Sequence, residues 1–266
     1  MTQQQRLQDL IQYLLAERPD GSTLAVPQDL HGQKQLFRAL RNLRPPQPVS
    51  PEFLQLQNDY LQAELALRGT VSLADIPEAE PGLYLWRGDI TRLAVDGIVN
   101  AANSALLGCF APCHGCIDNA IHSAAGVQLR QACADIMRRQ GHQEPTGQAK
   151  ITPAFNLPCR YVLHTVGPIV CGRLTAQDRR QLVSCYRACL QLAVQKGLTS
   201  LAFCCISTGE FCFPAPVAAQ IAVDTVRQFQ KQSANKLEVI FDVFTPSDYR
   251  LYSQLLANRA AGSWHP

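Results

Sequence analysis

Three chemical devices fall close together between residues 86 and 122: a carboxylate in the turn Gly88-Asp89, a pair of amides at Asn100 and Asn103, and the cluster Cys109-x4-His114-x-Cys116. Two thiolates and an imidazole at that spacing form a compact donor set, and Zn²⁺ prefers mixed sulfur and nitrogen ligands in a tetrahedral site. Three ligands with an open position is the pattern of a catalytic zinc. A closed structural zinc needs a fourth ligand, which Cys113 could supply, and Cys113 with Cys116 also forms a Cys-x-x-Cys that can be redox-active. Unligated thiols are the remaining alternative. Together the three devices suggest a nucleotide-like substrate held beside a metal.

Asn100 and Asn103 follow the apolar pair Ile98-Val99, so they emerge at a strand end where amides can hydrogen-bond sugar hydroxyls, although Asn is also a frequent turn former. Asp89 is as good a helix N-cap as a ligand for an amino group or a hydroxyl. Farther along, Ser207-Thr-Gly-Glu-Phe-Cys-Phe-Pro214 ends a strand, turns through Gly209 and opens a helix near Pro214. That geometry presents backbone N–H groups and a helix N-terminus to phosphate oxygens.

These residues need a scaffold. From about residue 82, apolar runs of strand length at 83–87, 97–101, 148–152, 161–165, 201–207 and 238–244 alternate with helical segments at 117–140, 175–196, 214–231 and 246–258. The alternation predicts a three-layer α/β/α domain whose sheet is mixed but mostly parallel. In such sheets ligands bind outside the carboxyl ends of the strands, where 100–103 and 207–213 fall. Before it, Leu7, Leu10, Ile11, Leu14 and Leu15 share one helical face, Leu36, Phe37, Leu40 and Leu43 another ahead of Pro45-Pro46, and a third helix runs from Ser50-Pro51 to Gly69. The expected division is a helical extension over 1–75 and the α/β domain over 76–260. The extension shows no polar constellation that reads as catalytic, and it reads as a packing cap or a lid for the domain that follows.

With 47% hydrophobic and 17% charged residues and a net charge of +3 spread along the chain, the composition is globular and lacks the basic stripe of a nucleic-acid binder. No run of ~18 apolar residues and no signal-type h-region occurs, so a cytoplasmic protein without a membrane partner is expected. All eleven cysteines lie between Cys109 and Cys212, which is not a secreted disulfide framework.

The order Gly88-Asp89-Ile90-Thr91, Val99-Asn-Ala-Ala-Asn103, Ile117-Asp118-Asn119-Ala-Ile-His122-Ser-Ala-Ala-Gly126, His164-Thr-Val-Gly-Pro168 and Ser207-Thr-Gly-x-Phe211-x-Phe213-Pro214 resembles the macrodomain family of ADP-ribose binders and hydrolases. The inserted Cys109-x4-His114-x-Cys116 is similar to its zinc-dependent branch, whose members also carry a helical N-terminal extension. The resemblance covers roughly residues 82–258. It implies that Asp89 and Ile90 hold the adenine end, that Asn103 with Asn100 behind it addresses the distal ribose, and that Ser207, Thr208, Gly209, Glu210 and Phe211 wrap the diphosphate, with Ile117 and Asn119 also lining the ligand. It implies a catalytic set of Asp118, Asn103 and Asn119, Asp118 positioning water, and Cys109, His114 and Cys116 as ligands of Zn²⁺. Asn119 stands where hydrolytic relatives often have Gly, and Cys212 where the phosphate loop commonly has Gly.

The expected activity is zinc-dependent removal of mono-ADP-ribose from modified protein side chains. Two alternatives stay open: a module that binds ADP-ribose without cleaving it, and a deacylase of O-acetyl-ADP-ribose. The resemblance further implies, as partner, a lipoyl-carrier protein modified by a sirtuin-type transferase.

Overall fold

Among the described residues of 1–69 there are three α-helices, and each start has a local cause. Helix α1 (Gln3–Ala16) opens on a capping box between Thr2 and Gln5, α2 (Leu30–Leu43) on Asp29, whose carboxylate accepts from Gly32 N–H at 2.8 Å, and α3 (Pro51–Arg68) on Ser50 with Pro51 in the first turn. Asp29 is why α2 begins at Leu30, well ahead of the apolar face that starts at Leu36. Leu7, Leu10, Ile11, Leu14 and Leu15 of α1 bury against Phe37, Leu40, Phe53 and Tyr60, a core separate from that of the sheet domain. Each such side chain contributes on the order of 1.5–3 kcal/mol by leaving water. The computed structural model describes residues 1–19, 24–233 and 236–258, so the predicted domain end at 260 lies outside the described residues.

The chain joins the second domain at β1 (Val71–Ser72), which pairs in parallel with β4 (Leu93–Ala94). The main sheet has seven strands in the order β2-β3-β9-β8-β5-β7-β6. They are β2 (Glu78–Glu80), β3 (Leu83–Arg87), β5 (Gly97–Ala102), β6 (Ala149–Pro153), β7 (Tyr161–Val166), β8 (Ser200–Phe203) and β9 (Glu238–Val243). The five inner strands run parallel, and β2 and β6 are antiparallel at the two edges, so the predicted mixed, mostly parallel sheet is what forms. Helices α4 (Ile117–Ala125) and α5 (Val127–Gln140) make one layer, with α2 against α4, while α6 (Ala176–Gln195), α7 (Ala215–Gln232) and α8 (Pro246–Ala257) make the other.

Two expectations need correction. The predicted helix 117–140 is two helices, because Gly126 turns to φ 95° between them, and a Cβ there would come within 2.7 Å of Gln57 Nε2. The predicted strand 201–207 ends at Phe203, since Ser207 adopts φ 65° and residues 204–207 leave the ladder to form the following turn. Strands β1, β2 and β4 were not foreseen: two are only two residues long, and Glu78-Ala-Glu80 is too polar to read as a strand.

Candidate active site

Strand β5 lies between β7 and β8, covered on both faces, yet carries Asn100 fully buried at its middle. A buried amide must be paired, and Asn100 Nδ2 donates to Asp118 Oδ1 at 2.8 Å. The same nitrogen lies 3.2 Å from His164 Nδ1 on β7. Because the amide nitrogen can only donate, Nδ1 accepts, and His164 Nε2 carries the hydrogen given to Thr152 Oγ1 at 2.9 Å. Burial lowers the His164 pKa to about 4, so the ring is neutral.

Asp118 sits in the first turn of α4, 5% exposed, and its second oxygen lies 3.4 Å from Asn103 Nδ2. Desolvation pushes the carboxyl up to about 6, against the pull of the Asn100 hydrogen bond and of Arg130. Asn103 is less buried; its Oδ1 accepts from Ala105 N–H and its amide donates to Gly108 O, a turn of the kind its residue type favours. Thus Asn100, Asn103 and Asp118, taken from a strand, a strand end and a helix start, form one connected polar group.

Cys109, His114 and Cys116 converge, with ligand atoms all within 4.8 Å of one another. The Cys116 sulfur also caps α4, accepting from Asn119 N–H at 3.4 Å. Burial, reinforced by Cys109, pushes the Cys116 thiol up to about 11. His114 Nδ1 is buried and has no hydrogen-bond partner. A donor set of two sulfurs and an orphaned imidazole nitrogen fits Zn²⁺ with one position open. Cys113 is outside this set: at φ 53° its N–H donates to Asn42 Oδ1 at 2.9 Å and its thiol to Gln35 O at 3.4 Å, both on α2.

The loop after β8 folds back on itself through Cys212 N–H to Gly209 O and Phe213 N–H to Ser207 O, both 2.9 Å. The N–H groups of Gly209, Glu210 and Phe211 find no acceptor among the described residues, as a cradle for an anion requires. Ser207 Oγ is buried without a partner and packs where a Cβ at Gly167 would lie 1.9 Å from it. Cys212 takes up the Gly-like conformation, φ 54°, and stays exposed, its thiol 3.6 Å from Glu210 O. Glu210 Oε1 comes within 3.6 Å of His114 Nε2, which brings this loop and the Cys/His cluster face to face.

At the opposite end, Asp89 caps a 3₁₀ turn at Ile90–Arg92 by accepting from Thr91 N–H at 3.0 Å, and its other oxygen pairs with Arg68 Nη1 at 2.9 Å. The Ile90 side chain is buried in the core, so only its backbone can meet a ligand, and Ile117 is partly buried against the same core. Asn119 is held from two sides: its Nδ2 donates to Ala111 O, and its Oδ1 accepts from Arg38 Nε at 3.0 Å, from Arg38 Nη2 at 2.7 Å and from Ser123 Oγ at 3.3 Å. Both polar atoms of that side chain are thus engaged within the protein, the amide nitrogen keeping one further N–H.

The extension, read in sequence as a packing cap or a lid, meets the α/β domain through polar side chains. Arg38 and Asn42 of α2 hold the Cys/His loop, Arg68 of α3 holds Asp89, and a groove of about 280 Å³ between α2, α3 and α4 connects them. In return Arg130 of α5 donates to the carbonyls of Arg41, Asn42 and Arg44 at the end of α2. Nothing in the spacing of these arginines marks them in sequence, because each looks like the polar face of an amphipathic helix.

Free backbone donors after β8, Asn100 buried within β5 and Asn103 just beyond its carboxyl end, next to the Cys/His cluster, lie where ligands bind on a doubly covered, mostly parallel sheet. The chain belongs to the macrodomain family: the Macro domain model matches residues 99–222. Over 261 residues it is 54% identical to a protein-ADP-ribose hydrolase of Treponema medium, covering 97% of this chain and all of that one. A protein-ADP-ribose hydrolase of Staphylococcus aureus strain MRSA252 is 46% identical over 252 residues, 94% of each chain. Among solved structures, the Trypanosoma brucei macrodomain in complex with ADP-ribose superposes with a TM-score of 0.65 at 31% identity, covering 82% of this chain and 94% of that one. No helix among the described residues is long and apolar enough to cross a membrane.

Proposed function

We propose that this chain is a protein-ADP-ribose hydrolase that removes mono-ADP-ribose from a modified protein side chain, with Zn²⁺ held by Cys109, His114 and Cys116. The observation that carries it is the Asp118 carboxylate, fixed between Asn100 and Asn103 two residues beyond Cys116. Relatives of nearly the same length, 54% and 46% identical, are named protein-ADP-ribose hydrolases, and the domain superposes on a macrodomain solved in complex with ADP-ribose.

In this reading ADP-ribose lies across the strand ends. Asp89 and the Ile90 backbone hold the adenine, the free N–H groups of Gly209, Glu210 and Phe211, with Ser207 and Thr208 beside them, take the diphosphate, and Asn103 addresses the distal ribose. Asp118 orients a water against the anomeric carbon and takes its proton as the bond to the protein side chain breaks. Asn103 is held by Gly108 O and Ala105 N–H, so it meets the ribose without reorganising. When bound, Zn²⁺ would supply Lewis acidity beside the distal ribose or make a neighbouring water more acidic. The reading extends to a cytoplasmic protein whose substrate is a lipoyl-carrier protein modified by a sirtuin-type transferase.

The test is release of ADP-ribose from a mono-ADP-ribosylated carrier protein, with chelator and with zinc restored. Release that stops with chelator and returns with zinc is expected. Tight ADP-ribose binding with no release would leave a binding module, and turnover of O-acetyl-ADP-ribose alone would move the substrate to a small ester.

A further inference from the structure

We infer that Arg38, on α2 of the N-terminal extension, is a positioning residue for the Cys109, His114 and Cys116 ligand set. The inference rests on the metal reading above and deepens it. One guanidinium makes three contacts: Nη2 donates to the backbone carbonyl of His114 at 2.9 Å, and Nε and Nη2 both donate to Asn119 Oδ1. Asn119 transmits the constraint in two directions. Its side-chain nitrogen donates to Ala111 O at 3.0 Å, in the middle of the ligand loop, and its backbone N–H donates to the sulfur of Cys116 at 3.4 Å. Arg38 thus touches one ligand residue directly and reaches a second through a single intervening amino acid.

The loop needs such a brace. Among the described residues, 103–116 contain no regular element, and Cys113 sits at φ 53°, a conformation its own side chain disfavours. Asn42, one turn from Arg38 on the same helix, fixes Cys113 N–H, and Gln35 O accepts from the Cys113 thiol, so α2 grips the loop through Gln35, Arg38 and Asn42. A lysine cannot replace this arginine: its ammonium is a point charge, whereas the planar fork reaches the Asn119 oxygen and the His114 carbonyl together. Hydrogen bonds that orient metal ligands commonly change metal affinity ~10–100-fold.

The experiment compares full-length wild type with Arg38→Lys, Arg38→Ala and Lys34→Met. Lys34→Met removes a surface contact of α2 with Glu64 and leaves the ligand loop untouched. Zinc affinity is read by competition with a chromophoric chelator, ADP-ribose affinity by calorimetry, and the melting temperature of the metal-free protein as a measure of folding. Both Arg38 variants should lose zinc affinity ~10-fold or more, Lys34→Met should not, and Arg38→Lys should keep ADP-ribose affinity within a few-fold. Should Arg38→Ala fail to fold, Arg38→Lys still carries the test. Zinc affinity unchanged in Arg38→Lys overturns the role of Arg38, whatever the melting temperature does. A wild type that takes up no zinc overturns the metal reading itself, a separate and distinguishable failure.

Discussion

Asn100 and His164 share a hydrogen bond across β5 and β7, 3.2 Å from amide nitrogen to Nδ1, and the same amide nitrogen holds Asp118 at 2.8 Å. The histidine therefore fixes which end of the Asn100 amide faces the carboxylate, deep under the site. If His164 were charged, Nδ1 would become a donor and would oppose the amide N–H group.

That arrangement has a sign with pH. The folded pKa of His164, about 4, lies below the ordinary value of 6.5, so its contribution is fully present above pH 6.5 and is lost as pH falls toward 4. Asp118 and Asp242, whose carboxyls are raised by burial, act in the opposite direction, so the clean measurement is a difference. Between pH 7 and pH 5 the stability of wild type relative to His164→Asn should fall by about 2 kcal/mol. Urea unfolding of both proteins at the two pH values checks it, and a constant difference would remove His164 as a buried neutral base.

Asp118→Ala should retain ADP-ribose affinity and lose turnover by ~10²-fold or more, because a group acting on water contributes to the transition state and little to ground-state binding. Calorimetric titration beside single-turnover kinetics separates the two. Unchanged turnover would reduce Asp118 to a residue of the α4 first turn.

Cys113→Ser should leave zinc at about one per chain, because the thiol faces Gln35 on α2, while Cys109→Ser and Cys116→Ser should each lose most of it. Elemental analysis of the purified variants decides. Zinc lost from Cys113→Ser would mean a closed four-ligand site.

Arg68 and Asp89 are both about two-fifths exposed, so their ion pair contributes only ~0–1 kcal/mol to folding. Arg68→Ala should leave the melting temperature nearly unchanged. Asp89→Ala should weaken ADP-ribose binding by ~10-fold or more through the lost hydrogen bond to a charged group. Equal affinity in Asp89→Ala would place the adenine elsewhere.

The sheet was legible because its inner strands are covered on both faces and so read as short apolar runs, whereas Asn100, expected to emerge at a strand end, lies buried inside β5. The Cys/His set was legible because its ligands are close in sequence. The brace from α2 was not, since the contact of Arg38 with Asn119 spans 81 positions and a helix-surface arginine carries no local mark of its partner. The break at Gly126 was hidden because residues on both sides keep helical spacing, and only the backbone angle shows it.

Arg130 supplies from α5 the donors that the end of α2 lacks, and its side chain is nearly inaccessible. A helix terminus is thereby finished by a residue 86–89 positions later in the chain. Neither part is self-sufficient: alone, α2 would keep open carbonyls, and in the sheet domain Arg130 would keep Leu107 O and Cys109 O as acceptors while its Nη1 lost Arg41 O, Asn42 O and Arg44 O. A nick in the segment joining α3 to β1 would then leave two fragments that co-purify, and the two halves expressed from separate messages should reconstitute one particle.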